Sequence, residues 1–159
     1  YGLINQEDFF KKSVSAKDLT GYYLLEKDDF AYNKSYSTGY PMGAIKRLKK
    51  YEKGVVSTLY ICFKFQQQKV NFEFIEQYFE SGLHNREIEQ IAQEGARNHG
   101  LLNIGLSDFF NTQIQLPCIE EQTKIANFLS AIDKKIEGVA EVLEATRRWK
   151  KGLLQQMFC

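Results

Sequence analysis

A group of basic residues is the first feature of the sequence that could do chemistry. Positions 46 to 53 contain five basic residues and only one acid, Glu52. The basic residues are Lys46, Arg47, Lys49, Lys50 and Lys53. Guanidinium and ammonium groups at this density suit contacts with phosphate groups. The alternative is a solvated loop or hairpin edge, because runs of charge usually face water. The net charge of +1 does not separate the two interpretations.

Two polar stretches could add contacts to the basic group. Positions 32 to 37 combine amide, hydroxyl and ammonium groups, which suit phosphates and base edges: Tyr32, Asn33, Lys34, Ser35, Tyr36 and Ser37. Positions 95 to 100 place Arg97, Asn98 and His99 in a loop bracketed by glycines, where arginine can read guanine and asparagine can read adenine. The alternatives are a polar loop for the first stretch and a tight turn with Arg97 paired to Glu94 for the second.

The sequence shows no constellation typical of catalysis or metal binding. It has no Gly-rich loop ending in Lys-Ser/Thr, no His-Glu-x-x-His and no cysteine pair at zinc spacing. The two histidines, His84 and His99, fit no catalytic set by spacing. Asp28 and Asp29 predict a turn beside a strand. An odd number of widely spaced cysteines favours a reducing cytoplasm over a disulfide framework: Cys62, Cys118 and Cys159.

Before Pro117, the elements that must position these residues are predicted to be both strands and helices. Strands are predicted at Tyr22 to Glu26, Phe30 to Asn33 and, most clearly, Val55 to Phe65, with a possible last strand at Ile114 to Leu116. Helices are predicted over Asn71 to Ser81, ended by Gly82, and over Asn85 to Gln93. The fold class is therefore α+β, with a small β-sheet, and we expect the phenylalanines to be core residues: Phe63, Phe65, Phe72, Phe74 and Phe79.

After Pro117 one long helix is predicted, from Glu120 to about Met157. Acids lie in its first turn and basic residues collect toward its end, as the helix dipole favours. Gly138 and Gly152 each cost roughly 1 kcal/mol relative to alanine. Apolar residues at spacings of four and three form a heptad seam: Ile125, Leu129, Ile132, Ile136, Val139, Leu143, Leu153 and Met157, with Thr146 and Lys150 as polar breaks. A rod of roughly 55 Å cannot bury this seam on the preceding domain, so we expect a partner helix.

The sequence resembles the specificity subunits of bacterial type I restriction–modification enzymes over nearly its whole length. The most specific match is LPCIEEQTKIANFLSAIDKKIE, from Leu116 to Glu137, and KKGLLQQMF resembles the usual family ending. GYYLLEKDDFAYNKSYS, KGVVSTLYICFKF and EGARNHGLLNIGLSDFF resemble the target-recognition domain more loosely. The resemblance implies a DNA target-recognition domain at 1–116 and a spacer and assembly helix at 117–159.

The resemblance also implies the function and the partners. Each recognition domain of the family reads one part of a split double-stranded target, and antiparallel helices separate the two domains. Partners would be DNA, methyltransferase subunits and, through the complex, restriction subunits. No cofactor is expected on this chain, since S-adenosylmethionine, ATP and magnesium belong to partner subunits. The basic residues 46–50 would then contact phosphates.

Two alternatives remain open at this stage. The chain carries one domain and one helix where a complete family member carries two of each, so it is either the C-terminal half of a longer subunit, which the internal-looking Tyr1 favours, or a half-size subunit that dimerises. A different class of function is a coiled-coil interaction module with no DNA role of its own. A standalone enzyme is disfavoured by the missing motifs.

Overall fold

The computed structural model describes residues 2–9, 20–92 and 100–158. Small antiparallel sheets are combined with helices, and one helix is far longer than the others, which confirms the predicted α+β class. In chain order the elements are α1 (Gln6–Phe9), β1 (Tyr23–Glu26), β2 (Phe30–Asn33), β3 (Ala44–Arg47), β4 (Lys53–Val56), β5 (Ile61–Phe63), α2 (Phe72–Glu80), α3 (Asn85–Ile91), α4 (Leu106–Asn111) and α5 (Ile119–Met157).

The strand β2 is the centre of a three-stranded antiparallel sheet. It lies between β3 and β5, so that Phe30 is opposite both Arg47 and Phe63, and Asn33 at its other end is opposite Ala44. The strands β1 and β4 form a separate two-stranded sheet in which Leu24 is opposite Val55. The predicted strands at 22–26 and 30–33 are therefore confirmed.

The predicted single strand from Val55 to Phe65 is wrong. The stretch contributes to β4 and β5, which belong to different sheets. A turn separates them, closed by the Tyr60 N–H donating to the Ser57 carbonyl at 3.1 Å. The apolar–polar alternation continues through the turn residues, so periodicity alone does not reveal the break.

Other departures from the sequence patterns concern short elements. The patterns do not predict β3, whose residues are half charged, or the six-residue α4. The predicted last strand at Ile114 to Leu116 is wrong, because this segment forms no strand and Ile114 instead packs against the core cluster of Phe30.

The core is built on both faces of β2. Phe30 and Tyr32, two residues apart, are on one face of the strand, and Ala31 is on the other; the three are 0%, 1% and 1% exposed. Ala31 packs with Leu25 of β1 and with Leu48. Of the predicted core phenylalanines, Phe74 and Phe79 are buried, and Phe63, Phe65 and Phe72 are half-buried.

The helix α2 confirms the prediction over 71–81. Asn71 is its N-cap, with Oδ1 accepting from the Phe74 N–H at 3.1 Å, and Gly82 adopts φ +75° just beyond its end. α3 lies within the second predicted helix, whose last residue, Gln93, is outside the described residues. Ile75 and Phe79 of α2 pack on Phe30, which places α2 against the three-stranded sheet.

The helix α5 confirms the long C-terminal helix. Its 39 residues give a length of about 58 Å at 1.5 Å per residue. Of these residues only Gln122 and Ala126 are buried, and residues 131–151 are all exposed. α5 packs on α2 near its beginning, where Gln77 Nε2 donates to Asp133 Oδ2 at 2.9 Å. Among the described helices, none combines the length and apolar character needed to cross a membrane.

Candidate nucleic-acid interface and assembly helix

The loop between β2 and β3, residues 34–43, is paired on one side with the chain that follows Gly100. The Tyr36 N–H donates to the Gly100 carbonyl at 2.8 Å, and the Leu102 N–H donates to the Lys34 carbonyl at 3.0 Å. Ser35 is opposite Leu101 in an isolated bridge. The structure therefore brings the first predicted polar stretch beside the end of the second.

The tip of this β2–β3 loop is a tight turn exposed to solvent. Ser37 and Tyr40 exchange both backbone hydrogen bonds, at 3.3 Å and 2.9 Å, around Thr38 and Gly39. Gly39 has φ +87°, a conformation that most residues avoid. Tyr36, just before the turn, is 65% exposed. The tip therefore presents an aromatic ring and hydroxyl groups on a defined backbone.

The base of the loop is fixed by the end of β2. Tyr32 Oη donates to the Met42 carbonyl at 2.8 Å, and Asn33 Oδ1 accepts from the Ser35 N–H at 3.0 Å. Gly43 has φ +74°, and a Cβ there would lie 2.3 Å from the Asn33 carbonyl oxygen. Only glycine fits this position, so the two ends of the loop can close on each other. A loop held in this way loses little further entropy when it contacts a ligand.

The basic residues at 46–49 contact a row of acids on α2. Glu73, Glu76 and Glu80 are spaced by three and four residues, so they share one face of the helix. Arg47 Nη2 donates to Glu73 Oε1 at 2.5 Å and to Glu76 Oε2 at 3.0 Å, while Asp28 Oδ1 lies 3.3 Å from Arg47 Nη1. The Arg47 side chain is only 4% exposed. Its charge is therefore neutralised inside the protein.

Two lysines also contact this row of acids. Lys49 Nζ contacts Glu73 at 2.7 Å and Glu76 at 3.3 Å, and Lys46 Nζ donates to Glu80. From position 46 to 49 the extended chain advances about 10 Å at 3.3 Å per residue. From position 80 back to 73 the helix covers about 10.5 Å at 1.5 Å per residue. The two spacings match, so Lys46 meets Glu80 at one end while Arg47 and Lys49 share Glu73 and Glu76 at the other.

The pairing shifts the pKa values of Lys49 and Glu73. Burial lowers the pKa of Lys49, but the contacts with Glu73 and Glu76 outweigh it and the pKa is raised. Burial raises the pKa of Glu73, but Lys49 and Arg47 outweigh it and the pKa is lowered. Both shifts keep the cluster ionised. For Lys46, Arg47 and Lys49 the phosphate contact stays a prediction, and the geometry favours a structural role instead.

Other predicted cations lack such partners. Lys50 is exposed, with Nζ 5.5 Å from the centroid of the Tyr51 ring, and Lys34 is half-buried. Neither forms an ion pair within the part of the chain that the structure describes. Lys34 starts the β2–β3 loop and Lys50 lies beyond the other end of β3. The strand β3 therefore separates Lys50 from the loop that Lys34 begins.

Three predicted site residues lie outside the described residues, and nothing is placed for them: Arg97, Asn98 and His99. Gly100, which follows them in sequence, has φ +74° and accepts the hydrogen bond from Tyr36.

His84, the other histidine of the sequence, is a packing residue. It is 4% exposed, with its ring against Phe79 and Phe109 and its Nε2 3.3 Å from Thr112 Oγ1. Burial lowers its pKa, only partly opposed by Glu87. His84 therefore joins α2, α3 and α4.

The predicted assembly seam of α5 is largely uncovered. Leu129 and Leu153 are half-buried, and the other six members are exposed by 36% to 71%: Ile125, Ile132, Ile136, Val139, Leu143 and Met157. Their neighbours Phe128, Val142 and Trp149 are exposed by 66% to 67%. An apolar stripe of this extent on one helix indicates a contact surface.

The start of α5 is anchored by Gln122. This side chain is 1% exposed; Oε1 accepts from the Asn71 N–H at 2.9 Å, and Nε2 donates to the carbonyls of Pro117 (2.9 Å) and Lys69 (3.3 Å). Thr123 Oγ1 lies 3.3 Å from Asn71 Nδ2. All polar atoms of the buried amide therefore have partners, which is the condition for burying such a group.

The sequence patterns alone do not identify Gln122, Tyr40 or the acidic row as parts of these sites. The spacing Glu73, Glu76, Glu80 was a usable signal, because it places three acids on one helical face. Which cations they meet depends on the packing of α2 on β3, 24 to 34 residues away in sequence.

Comparison with known proteins gives a consistent result. A family model described as "Type I restriction modification DNA specificity domain" matches residues 2–145. The chain is also similar to the "Type I restriction enzyme MjaVIII specificity subunit" of Methanocaldococcus jannaschii, with 30% identity over 70 residues. That alignment covers 44% of this chain and 16% of the relative, so the chain matches only a small part of the relative's length.

Proposed function

Because the chain belongs to the family of type I restriction modification DNA specificity domains, we propose that it recognises one part of a split double-stranded DNA target. The observation that carries this proposal is the match over residues 2–145, which spans the sheets, α2 and most of α5. In this proposal the chain is non-catalytic, and methylation and cleavage reside in partner subunits. S-adenosylmethionine, ATP and magnesium would bind to those partners.

The β2–β3 loop is the proposed DNA-reading surface. Its support is geometric: the tip is exposed, the base is fixed, and Lys34 has no carboxylate partner within the described ranges. Tyr36 would contact bases and Ser35 and Lys34 the adjacent phosphates. Arg97, Asn98 and His99 remain part of the proposal through their sequence position before Gly100. Lys50 is the one member of the basic stretch kept as a phosphate contact.

The helix α5 is the proposed assembly element. Residues 1–116 would form the recognition domain and 117–159 the spacer, with Gln122 as the junction. Its exposed seam suits the a and d positions of a second helix, from another part of a longer subunit or from a second copy. The methyltransferase subunits would dock on the same helix. Because the seam and its neighbours Phe128, Val142 and Trp149 form an exposed apolar stripe, a helix with a matching stripe is the occupant that buries most area.

The experiment measures DNA binding by the complex assembled from this chain in its full subunit and the methyltransferase subunits. Selection from a random duplex library identifies the best-bound duplex, and a shuffled duplex of equal composition is the non-specific reference. We expect Lys34→Ala to weaken binding to both duplexes similarly and to reduce the salt slope by about 1. Tyr36→Ala should instead lower the preference for the selected duplex, by about tenfold for a contact of 1.4 kcal/mol.

The matched control is Lys64→Ala. Phe63 is opposite Phe30, so Lys64 leaves β5 at the end of the sheet opposite the β2–β3 loop, and its replacement should leave both affinities unchanged. A wild-type complex that binds selected and shuffled duplexes equally would contradict the proposed function. The second candidate, a coiled-coil module without a DNA role, then becomes the better account, since the exposed seam of α5 supports it independently.

A further inference from the structure

Three side chains meet where the β2–β3 loop returns to β3. Tyr40 Oη donates to Glu80 Oε2 at 2.8 Å, and Lys46 Nζ donates to Tyr40 Oη at 2.7 Å and to Glu80. Lys46 Nζ also lies 4.5 Å from the centroid of the Tyr40 ring. The group therefore contains one loop residue, one residue of β3 and one residue from the last turn of α2.

The charged side chains of the group are partly exposed but paired with each other. The side chains of Lys46 and Glu80 are 18% and 34% exposed. Burial lowers the pKa of Lys46, but the hydrogen bonds to Glu80 and Tyr40 outweigh it and raise the pKa. A cation with two hydrogen-bonded partners has to break those contacts before it can bind a phosphate, which costs more than recruiting a free lysine.

Tyr40 connects this group to the backbone of the loop. Its N–H and carbonyl close the turn with Ser37, and its carbonyl also accepts from the Gly43 N–H at 3.2 Å. A movement of the Tyr40 ring would therefore move the turn that carries Thr38 and Gly39. Through Glu80, the turn is held against α2, which in turn contacts α5 at Gln77.

We propose that Tyr40, Lys46 and Glu80 are positioning residues that fix the tip of the β2–β3 loop, so that the sequence preference of DNA binding depends on them while general attraction to phosphates does not. This inference rests on the proposed function. It replaces the direct phosphate contact expected of Lys46 with an action through Tyr40.

Glu80, the acid of the group, makes the inference testable, because two accounts predict affinity changes of opposite sign when its charge is removed. If the region only attracted phosphates, removing the negative charge of Glu80 would strengthen binding to every duplex, because like charges repel. If Glu80 positions the loop, Glu80→Gln weakens binding to the selected duplex and leaves the shuffled duplex unaffected. The two accounts therefore predict opposite changes in affinity for the selected duplex.

The test uses the same assembled complex and the same two duplexes. We expect Glu80→Gln, Lys46→Met and Tyr40→Phe each to lower affinity for the selected duplex by about tenfold, the effect of losing roughly one well-placed contact. Affinity for the shuffled duplex and the salt slope should stay unchanged. Equal changes on both duplexes, upward for Glu80→Gln and downward for Lys46→Met, would overturn the inference, as would no change on either duplex for the three variants.

The control is the surface pair Lys27 and Glu52, which are 2.7 Å apart and 50% and 79% exposed. Lys27→Met, just after β1, and Glu52→Gln, just before β4, make the same charge changes outside the β2–β3 loop and should leave the preference between duplexes unchanged. Thermal unfolding checks that each variant is folded. Tyr40→Phe decides the matter if a charge variant is unfolded, because it removes one hydroxyl and keeps the ring. A wild type without preference between duplexes would contradict the proposed function itself, whereas an intact preference in Tyr40→Phe would contradict only this inference.

Discussion

The helices α2 and α5 are both amphipathic, yet among the residues that the structure describes only α2 has its apolar face covered. Three of the nine residues of α2 are buried, whereas the 39 residues of α5 include two buried ones, of which one is polar. The acids of α2 meet cations of the sheet, while residues 131–151 of α5 are all exposed. Periodicity therefore identifies a helix and its apolar face, but it does not indicate what covers that face.

The largest expected difference between the helices concerns buried and exposed isoleucines. Ile75 of α2 is 0% exposed and Ile136 of α5 is 61% exposed. We expect Ile75→Ala to lower the free energy of unfolding by about 2 to 5 kcal/mol. Ile136→Lys should change it by less than about 0.5 kcal/mol, yet prevent assembly with the partner helix. Urea unfolding and analytical ultracentrifugation measure the two effects. A large loss of stability in Ile136→Lys that depends on protein concentration would show that the seam is already covered by a second copy.

A smaller effect is expected at the junction between the two helices. Replacing Gln122 by leucine leaves the Asn71 N–H and the carbonyls of Pro117 and Lys69 without their partners. An unsatisfied buried group costs about 1 to 3 kcal/mol, so Gln122→Leu should lower the free energy of unfolding by that amount. Gln155→Leu, at an exposed position late in α5, is the control. Unchanged stability in Gln122→Leu would mean that packing around Ala126 suffices to hold α5.

The smallest expected effect concerns the pH dependence of stability, compared between a paired acid of α2 and an exposed acid of α5. The folded-state pKa of Glu73 lies below its ordinary value of 4.5. Its contribution to stability is therefore present above about pH 4.5 and is lost as the pH falls through the lower folded-state pKa. The stability difference between wild type and Glu73→Gln should shrink in this acid range, as measured by unfolding at a series of pH values. Glu144→Gln, an exposed α5 variant, is the control; a constant difference for Glu73→Gln would show that its pairing with Lys49 and Arg47 is not formed in solution.

Local signals in the sequence predicted the elements that local physics determines. The terminating Gly82 and the apolar spacing predict α2, whereas the acids of the first turn after Pro117 and the heptad spacing predict α5. The break between β4 and β5 was not predictable from alternation, because the turn residues continue it. The strand β3 was hidden by its charges, which look like a solvated loop until α2 supplies their partners.

The candidate site likewise has one part that the sequence predicts and another that depends on tertiary packing. The residues of the β2–β3 loop were recognisable as polar and turn-forming, and the structure adds that the loop is fixed at its base. The interpretation of the basic stretch as a free charged surface could not anticipate Glu73, Glu76 and Glu80, since such contacts depend on tertiary packing. Arg47 is the clearest case: as one of five clustered cations it suggests a phosphate ligand, and at 4% side-chain exposure it is part of the protein interior.

The fixed base of the β2–β3 loop has a consequence for how such a chain diversifies. Gly43 admits no side chain, and Tyr32 and Asn33 close the loop with hydrogen bonds, so substitutions at these positions disturb the fold. Tyr36, Ser37 and Thr38 are exposed, and replacing them costs little stability. Natural variation can therefore accumulate at the tip while the base is conserved by selection for folding. Under the proposed function, new tips grafted between positions 36 and 39 would change the DNA sequence that the domain prefers.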